Sequence, residues 1–299
     1  MPEQAVEARF DELEQIRNEA NAKKNRIHWI FGPILFAVLA VLLMYTSFPF
    51  PFMGVIVVAG GWFYFINKEN EKFGKLFKTK VMVPSLLKRF PHLTYHEKGI
   101  SKEHFLTSEL YKISKVDRYK SEDMFSGVHG KTKFRFCEAH AEEKRKNSKG
   151  GSSYHTVFQG VYMIADFNKS LKGTTRVLQA SDNFIKKLFN RKTQVSLDHP
   201  EFEEIFNTYS DDQIEARYIL SPAMMERIVE LQSRWDEDIR ISFIRDHVFI
   251  AIHHKKNLFE ANMKKEINAD QVKRIYEEVE MCLSIIDLLD LNTRIWTKE

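Results

Sequence analysis

Cysteine is nearly missing from this chain, with only Cys137 and Cys282 among 299 residues. Two cysteines this far apart exclude a disulfide framework and any zinc site built on paired cysteines, and they fit a reducing compartment. Charge is missing too, but locally: from Ile27 to Ile66 there is no Asp, Glu, Lys or Arg. Catalytic patterns are the third absence. No GxSxG, HExxH or CxxC occurs, so the serine-hydrolase, zincin and thioredoxin-like chemistries lack their local signatures. The nearest approach to a phosphate loop, Gly130-Lys131-Thr132, has Phe125 where the first glycine belongs and lies between strand patterns.

The forty uncharged residues set the first expectation. A helical crossing needs about 20 residues, so 27–66 reads as a transmembrane helical hairpin turning at Phe48–Pro51, where proline removes amide donors. Arg17, Lys23, Lys24 and Arg26 flank one side and Lys68, Lys72, Lys75, Lys78 and Lys80 the other, whereas the turn carries none. The positive-inside bias then places both termini in the cytoplasm, making this a multi-pass protein of the inner (plasma) membrane. Trp29, Trp62 and Tyr64 at one edge and Tyr45, Phe48, Phe50 and Phe52 at the other match aromatic belts. Gly54, Gly60 and Gly61 permit close approach of the two helices.

The remaining sequence divides by pattern into an amphipathic helical arm (1–26), a helical stalk (67–92) and a cytoplasmic α+β domain (93–299). In the arm, Val6, Phe10, Leu13 and Ala20 recur at helical spacing, a face suited to packing or a short coiled coil. The overall charge of +4 hides an asymmetry. Residues 67–150 hold 20 basic and 11 acidic side chains, and 151–299 hold 20 and 24. An anionic lipid surface rewards such a basic stretch by about 1 kcal/mol per nearby cation. Nucleic acid is not expected, because Phe134-Arg135-Phe136 alternates as a strand that buries its rings.

Within 93–299 the periods predict an antiparallel sheet with packed helices. Ile113–Phe125 and Thr132–His140 read as a hairpin about His129-Gly130, Tyr154–Phe167 and Thr174–Gln179 as partner strands across a turn at Asn168–Gly173, and Ile239–Phe243 and Val248–Ile252 as a second hairpin about Arg245-Asp246. The polar run from Glu142 to Ser153 is expected to be a mobile loop, Pro200–Tyr209 a short helix and Ala216–Leu220 a strand. Ser221-Pro222 reads as an N-cap followed by a first-turn proline, starting a helix over 223–235. Asn268 caps a final helix whose Val272, Ile275, Val279, Cys282, Leu283, Ile286 and Leu289 share one face.

The histidines offer little chemistry. His253 and His254 are adjacent in a strand and point to opposite faces, His140 adjoins the polar run with Glu142 and Glu143, and Ser152, Ser153 and His155 have no orienting acid in view. The polar residues that remain as a binding face are Glu138, His140, Asp166, Asn168 and Arg176, for which turn and edge chemistry is the competing explanation. No catalytic residue, metal set or cofactor motif emerges.

Three passages, Gly127–His140 (GVHGKTKFRFCEAH), Thr156–Gly173 (TVFQGVYMIADFNKSLKG) and Tyr209–Ile219 (YSDDQIEARYI), with the Ser221–Met225 helix start, resemble a bacterial family defined as domain of unknown function 3137. In that family a two-span hairpin precedes the domain, so the resemblance implies the same architecture and compartment and brings no activity. The combined expectation is a membrane-anchored, non-enzymatic module in contact with the bilayer, whose partner is a protein or an anionic lipid headgroup. The alternative is a noncanonical enzyme acting on lipid or cell-envelope intermediates. The oligomeric state is not set by the sequence.

Overall fold

The computed structural model describes residues 3–44, 50–146, 150–181, 193–255, 258–260 and 269–293. The chain divides into two units, one formed by Met1–Lys88 with Phe259–Tyr276 and the other by Arg89–Leu258 with Glu277–Glu299.

In the first unit, helix α1 runs over Glu3–Met44 and helix α2 over Phe50–Phe77. A π-helical turn, Lys78–Met82, leads into α3, Val83–Arg89. The two long helices pack together as the glycine content suggests: a Cβ on Gly61 would lie 3.2 Å from the Phe31 ring, and one on Gly54 3.3 Å from Val38. Trp62 Nε1 donates to His28 Nδ1 at 3.0 Å. Trp29, Phe36, Ile56, Val57 and Phe63 face outward.

The expected transmembrane hairpin is corrected: among the described residues no helix is long and apolar enough to cross a membrane. The physical reason is continuity of each helix with charged sequence. α1 carries eleven charged side chains before Ile27, and α2 runs on into Lys68, Glu69, Glu71, Lys72 and Lys75. The described uncharged portions, 27–44 and 50–66, are at the short end of what one crossing takes and adjoin charged turns. The multi-pass inner-membrane placement is corrected with it. The expected turn lies partly outside the described residues, with Phe50 and Pro51 already opening α2.

The second unit is built on nine strands: β1 (Leu93–Lys98), β2 (Arg118–His129), β3 (Thr132–Lys146), β4 (Ser152–Asp166), β5 (Thr174–Gln179), β6 (Gln194–Val195), β7 (Phe206–Ser210), β8 (Ile239–Ile244) and β9 (His247–His253). They form one sheet in the order β1-β2-β3-β4-β9-β8-β5-β7-β6, and every neighbouring pair is antiparallel. Helices α4 (Lys102–Leu106), α5 (Pro200–Ile205), α6 (Gln213–Ile219), α7 (Pro222–Trp235) and α8 (Ala269–Leu288), with a 3-10 turn at Ile113–Lys115 where the sequence suggests the start of β2, complete the described elements, α8 belonging to both units.

The β2–β3 turn at Gly130-Lys131 joins His129 to Thr132 with Gly130 at φ +61°, the position a type II′ hairpin gives to glycine. Alternation along β3 buries Cys137, Ala139 and Ala141 with Phe158 and Tyr162 of β4, and Phe105 stacks on Tyr111 above them at 5.0 Å. Burial pushes the Cys137 thiol up to about 12 and the Cys282 thiol higher still, so both behave as small core groups.

Four local expectations change, the first being Pro200–Tyr209, which is helix only to Ile205 because Phe206–Ser210 pairs with β5 and β6 as strand β7. Most of the polar run Glu142–Ser153 is strand rather than loop, because Glu142 to Lys146 pair with Thr156 to Ser152 across a long β3–β4 ribbon. Ala216–Leu220 is helix rather than strand, because Asp212 caps it by accepting from the Ile214 and Glu215 amides at 2.9 and 3.0 Å. β5 is not the neighbour of β4, since β9 takes that place and β5 lies between β8 and β7. The Asn268 cap lies outside the described residues, while Val272, Ile275, Val279, Cys282, Leu283, Ile286 and Leu289 are all buried.

Where β4 passes between β3 and β9, Gly160 adopts φ +150°, and a Cβ there would meet Ile252 O at 2.1 Å and His254 N at 2.6 Å. Gly160→Ala should therefore lower the free energy of unfolding by roughly 2–4 kcal/mol. Urea denaturation followed by circular dichroism measures it, and an unchanged midpoint would show that the ribbon yields at this point.

Candidate functional site

The chain leaves β4 at Asp166 and crosses to β5 through Phe167–Gly173. That crossing is fastened at both ends. Phe167 N donates to Asp246 O and Leu171 N to Arg245 O, each at 2.8 Å, tying the loop to the β8–β9 turn. At its far end the amides of Lys172 and Gly173 both donate at 2.9 Å to the Glu215 carboxylate on α6. Tyr218 lies one turn beyond Glu215 on the same helix, and this brings its ring under the Lys169 ammonium at 4.2 Å; the Phe167 ring is 5.5 Å away on the same cation.

These residues form one wall of a cleft of about 450 Å³ lined by apolar Phe167, Tyr218, Ile219, Met224, Leu289 and Leu291. The volume and the apolar lining suit a small-molecule site. Ser221 starts the next wall, capping α7 by accepting from Met224 N. The segment after α8 closes the cleft. Leu291 N donates to Ile286 O and Asp290 N to Asp287 O, with Asp290 at φ +53°, the hydrogen-bond pattern of a Schellman cap with aspartate where glycine is usual. Asn292 pins that segment to the β2–β3 turn, its Oδ1 accepting from Lys131 N and Thr132 Oγ1 at 3.0 Å.

The charged lining is Lys169, Arg217, Arg227 and Asp290. Arg227 pairs with Asp290 at 3.2 Å, and Arg217 donates to the carbonyls of Gln213 and Ser196. Lys169 has no carboxylate partner among the described residues, and burial lowers its pKa from the ordinary lysine value. A half-buried cation held against two rings in an apolar cleft can receive an anionic group. Within the cleft lining the Thr293 hydroxyl donates to the Asp290 carboxylate, which Arg227 also holds, and no group of three or more His, Cys, Asp or Glu suited to a metal exists among the described residues.

The five residues singled out from sequence do not share one place. Asn168 lines this cleft beside Lys169. Glu138 and His140 line a smaller cleft of about 150 Å³ with Lys120, Glu122, Gln159 and His254. There Glu138 stands directly opposite Glu122 in the β2–β3 register; its carboxylate accepts from Leu258 N, while Lys120 pairs with Glu122 at 3.1 Å. Asp166 lies 3.9 Å from His247 at the end of β4, and Arg176 is buried on β5 with Glu109 and Asp211 as its acids. Lys68, Lys72 and Lys75 sit on α2, Lys78 and Lys80 in the π-turn. Sequence reading passed over Lys169, Arg217, Tyr218 and Arg227. Only the Asp212 cap, by turning 213–219 into a helix, could have signalled that Arg217 and Tyr218 stand together.

Residues 156–291 match the family model described as "Protein of unknown function (DUF3137)", a span that contains most of the cleft. No curated protein matches the chain. Among solved structures, the mycobacterial trehalose monomycolate transport factor A, TtfA, is similar at 9% identity, covering 69% of this chain and 93% of that one with a TM-score of 0.34, which is too distant to bear on function.

Because the Lys169 pKa is lowered in the folded chain, the unfolded chain binds more protons between that lowered value and 10.5. The penalty of burying this charge is fully present below the folded pKa and disappears above 10.5. Lys169→Met should thus raise the unfolding midpoint at neutral pH and lose that advantage above pH 10.5. Thermal unfolding of both forms across pH 7–11 tests the sign; a variant less stable at neutral pH would contradict it.

Proposed function

We propose that this chain is a binding module rather than an enzyme, and that the cleft between the Phe167–Gly173 loop, α6, α7 and the segment after α8 takes an acidic amphiphile: a molecule with one anionic group and one apolar portion. The observation that carries the reading is Lys169, a cation set between Phe167 and Tyr218 in an apolar cleft with no carboxylate partner among the described residues. Burying such a charge costs free energy, and an incoming anion recovers it. Leu289, Leu291, Met224 and Ile219 supply the surface for the apolar portion. The lining holds three cations against one carboxylate, which favours acids over bases.

Titration calorimetry of the full chain with decanoate, decyl phosphate, decanol and decylamine tests this. The two acids should bind at least about tenfold more tightly than the alcohol or the amine, a difference of about 1.4 kcal/mol. Lys169→Met should erase most of that preference. Equal affinity for decylamine and decanoate, or an unchanged preference in the variant, would remove the reading.

Asp290 supplies a second arm. Asp290→Gly places the preferred residue at the left-handed cap position and leaves Arg227 without its acid, so this variant should bind decanoate several-fold more tightly while folding at least as stably. Weaker binding in the same titration would mean that Asp290 shapes the cleft instead of neutralising it.

A further inference from the structure

Large apolar side chains are rarely exposed in the second unit. Among its described residues they are Ile113, Val128, Ile214 and Tyr218, and Ile214 is the most exposed at 83%. Ile214 and Tyr218 are four residues apart on α6, so they stand one above the other on its outer face, and Arg217 lies beside them. Tyr218 also forms the mouth of the cleft. The inner face of the same helix is closed by buried Ala216 and Ile219.

The acids on and beside α6 have partners of their own. Glu215 holds the Lys172 and Gly173 amides, Asp212 caps the helix, and Asp211 lies 3.9 Å from buried Arg176. Lys169 and Arg217 line the adjoining cleft, and Lys172 is exposed on the loop that Glu215 fastens to α6. An aliphatic prong, an amphipathic ring and three cations with their acids engaged elsewhere match an anionic lipid surface. There the apolar tips enter the interface, Tyr sits at headgroup depth and the basic groups meet phosphates. An acidic protein would offer the same charge, but an aliphatic side chain 83% exposed on a two-turn helix suits insertion among lipid tails better than a polar protein surface.

We infer that the outer face of α6, with Ile214, Arg217 and Tyr218 and the adjoining Lys169 and Lys172, docks on an anionic lipid surface and brings the mouth of the cleft against it. This rests on the cleft reading for its purpose, though the docking itself is separable from it.

Cys137 and Cys282 are fully buried, so Ile214→Cys in the full chain can be labelled selectively with a polarity-sensitive fluorophore. Vesicles of phosphatidylcholine containing phosphatidylglycerol should shift its emission to the blue, pure phosphatidylcholine should not, and raised salt should reverse the shift. The same label at Ile113→Cys, an exposed apolar position elsewhere, should not respond, and Arg217→Gln in the labelled chain should weaken the response several-fold. No shift, an equal shift with neutral vesicles, or an equal shift at both labels would overturn the docking. A shift given by polyglutamate and not by the vesicles would overturn it too, assigning the face to an acidic protein. Decanoate titration of the same labelled chain separates the two readings: retained decanoate binding without a vesicle response removes the docking and leaves the cleft standing.

Discussion

One carboxylate organises the cleft. Glu215 accepts from two consecutive amides, Lys172 and Gly173, at 2.9 Å each, an arrangement in which an ionised acceptor makes both hydrogen bonds stronger than neutral ones. It joins the loop after β4 to α6, two segments more than forty residues apart in sequence. Everything at the mouth of the cleft follows from that junction, because Lys169 is carried by the loop and Tyr218 by the helix. The junction in turn depends on Asp212, whose side chain meets the first amides of α6 and fixes where the helix begins and hence where Glu215 points.

The same economy governs the back of the cleft. The segment after α8 turns off the helix through the Schellman bonds of Asp290 and Leu291, and side chains fix what it lies against. Asp287 and Asn292 reach the β2–β3 turn through His129, Lys131 and Thr132, while Asp290 reaches α7 through Arg227. A hairpin turn distant in sequence thus helps to place Leu289 and Leu291 in the cleft wall. Gly130 suits its positive φ there, and a Cβ in its place, 2.6 Å from Asn292 Oδ1, would push the Asn292 side chain off the turn.

Local chemistry was legible in the sequence where it acts over a few residues. The Ser221-Pro222 start of α7 and the two hairpin turns are determined by neighbours and were readable as such. Long-range pairing was not. Nothing within Glu142–Ser153 announces a strand, because its polar residues are ordered by partners across β3 and β4 rather than by burial. Likewise nothing in Thr174–Gln179 says that its neighbours are β7 and β8. The stretch 27–66 carries the uncharged run, flanking cations and aromatic edges of a membrane hairpin, whereas the helices that contain it run on into charged sequence. The polar residues chosen as a binding face share only their chemistry; topology sends them to separate places, and of the five only Asn168 reaches the main cleft.

What singles out that cleft is a comparison among the chain's own buried cations. Arg176 is 6% exposed and meets Glu109 and Asp211; Arg240 is 8% exposed and meets Asp238 at 3.4 Å with its guanidinium over the Tyr111 ring. Lys115 is held by Glu143, which lies below its ordinary carboxyl range chiefly through that hydrogen bond. Each of these pairs repays desolvation within the chain, the condition under which a withdrawn charge is retained without a ligand. Lys169 breaks the pattern. It is withdrawn from water, its partners are two aromatic faces, and the nearby Glu215 that could have neutralised it is committed to backbone amides. The fold supplies acids to Arg176, Arg240 and Lys115 and leaves Lys169, among the described residues, facing an apolar cleft without one, and on that contrast the proposed anion site rests.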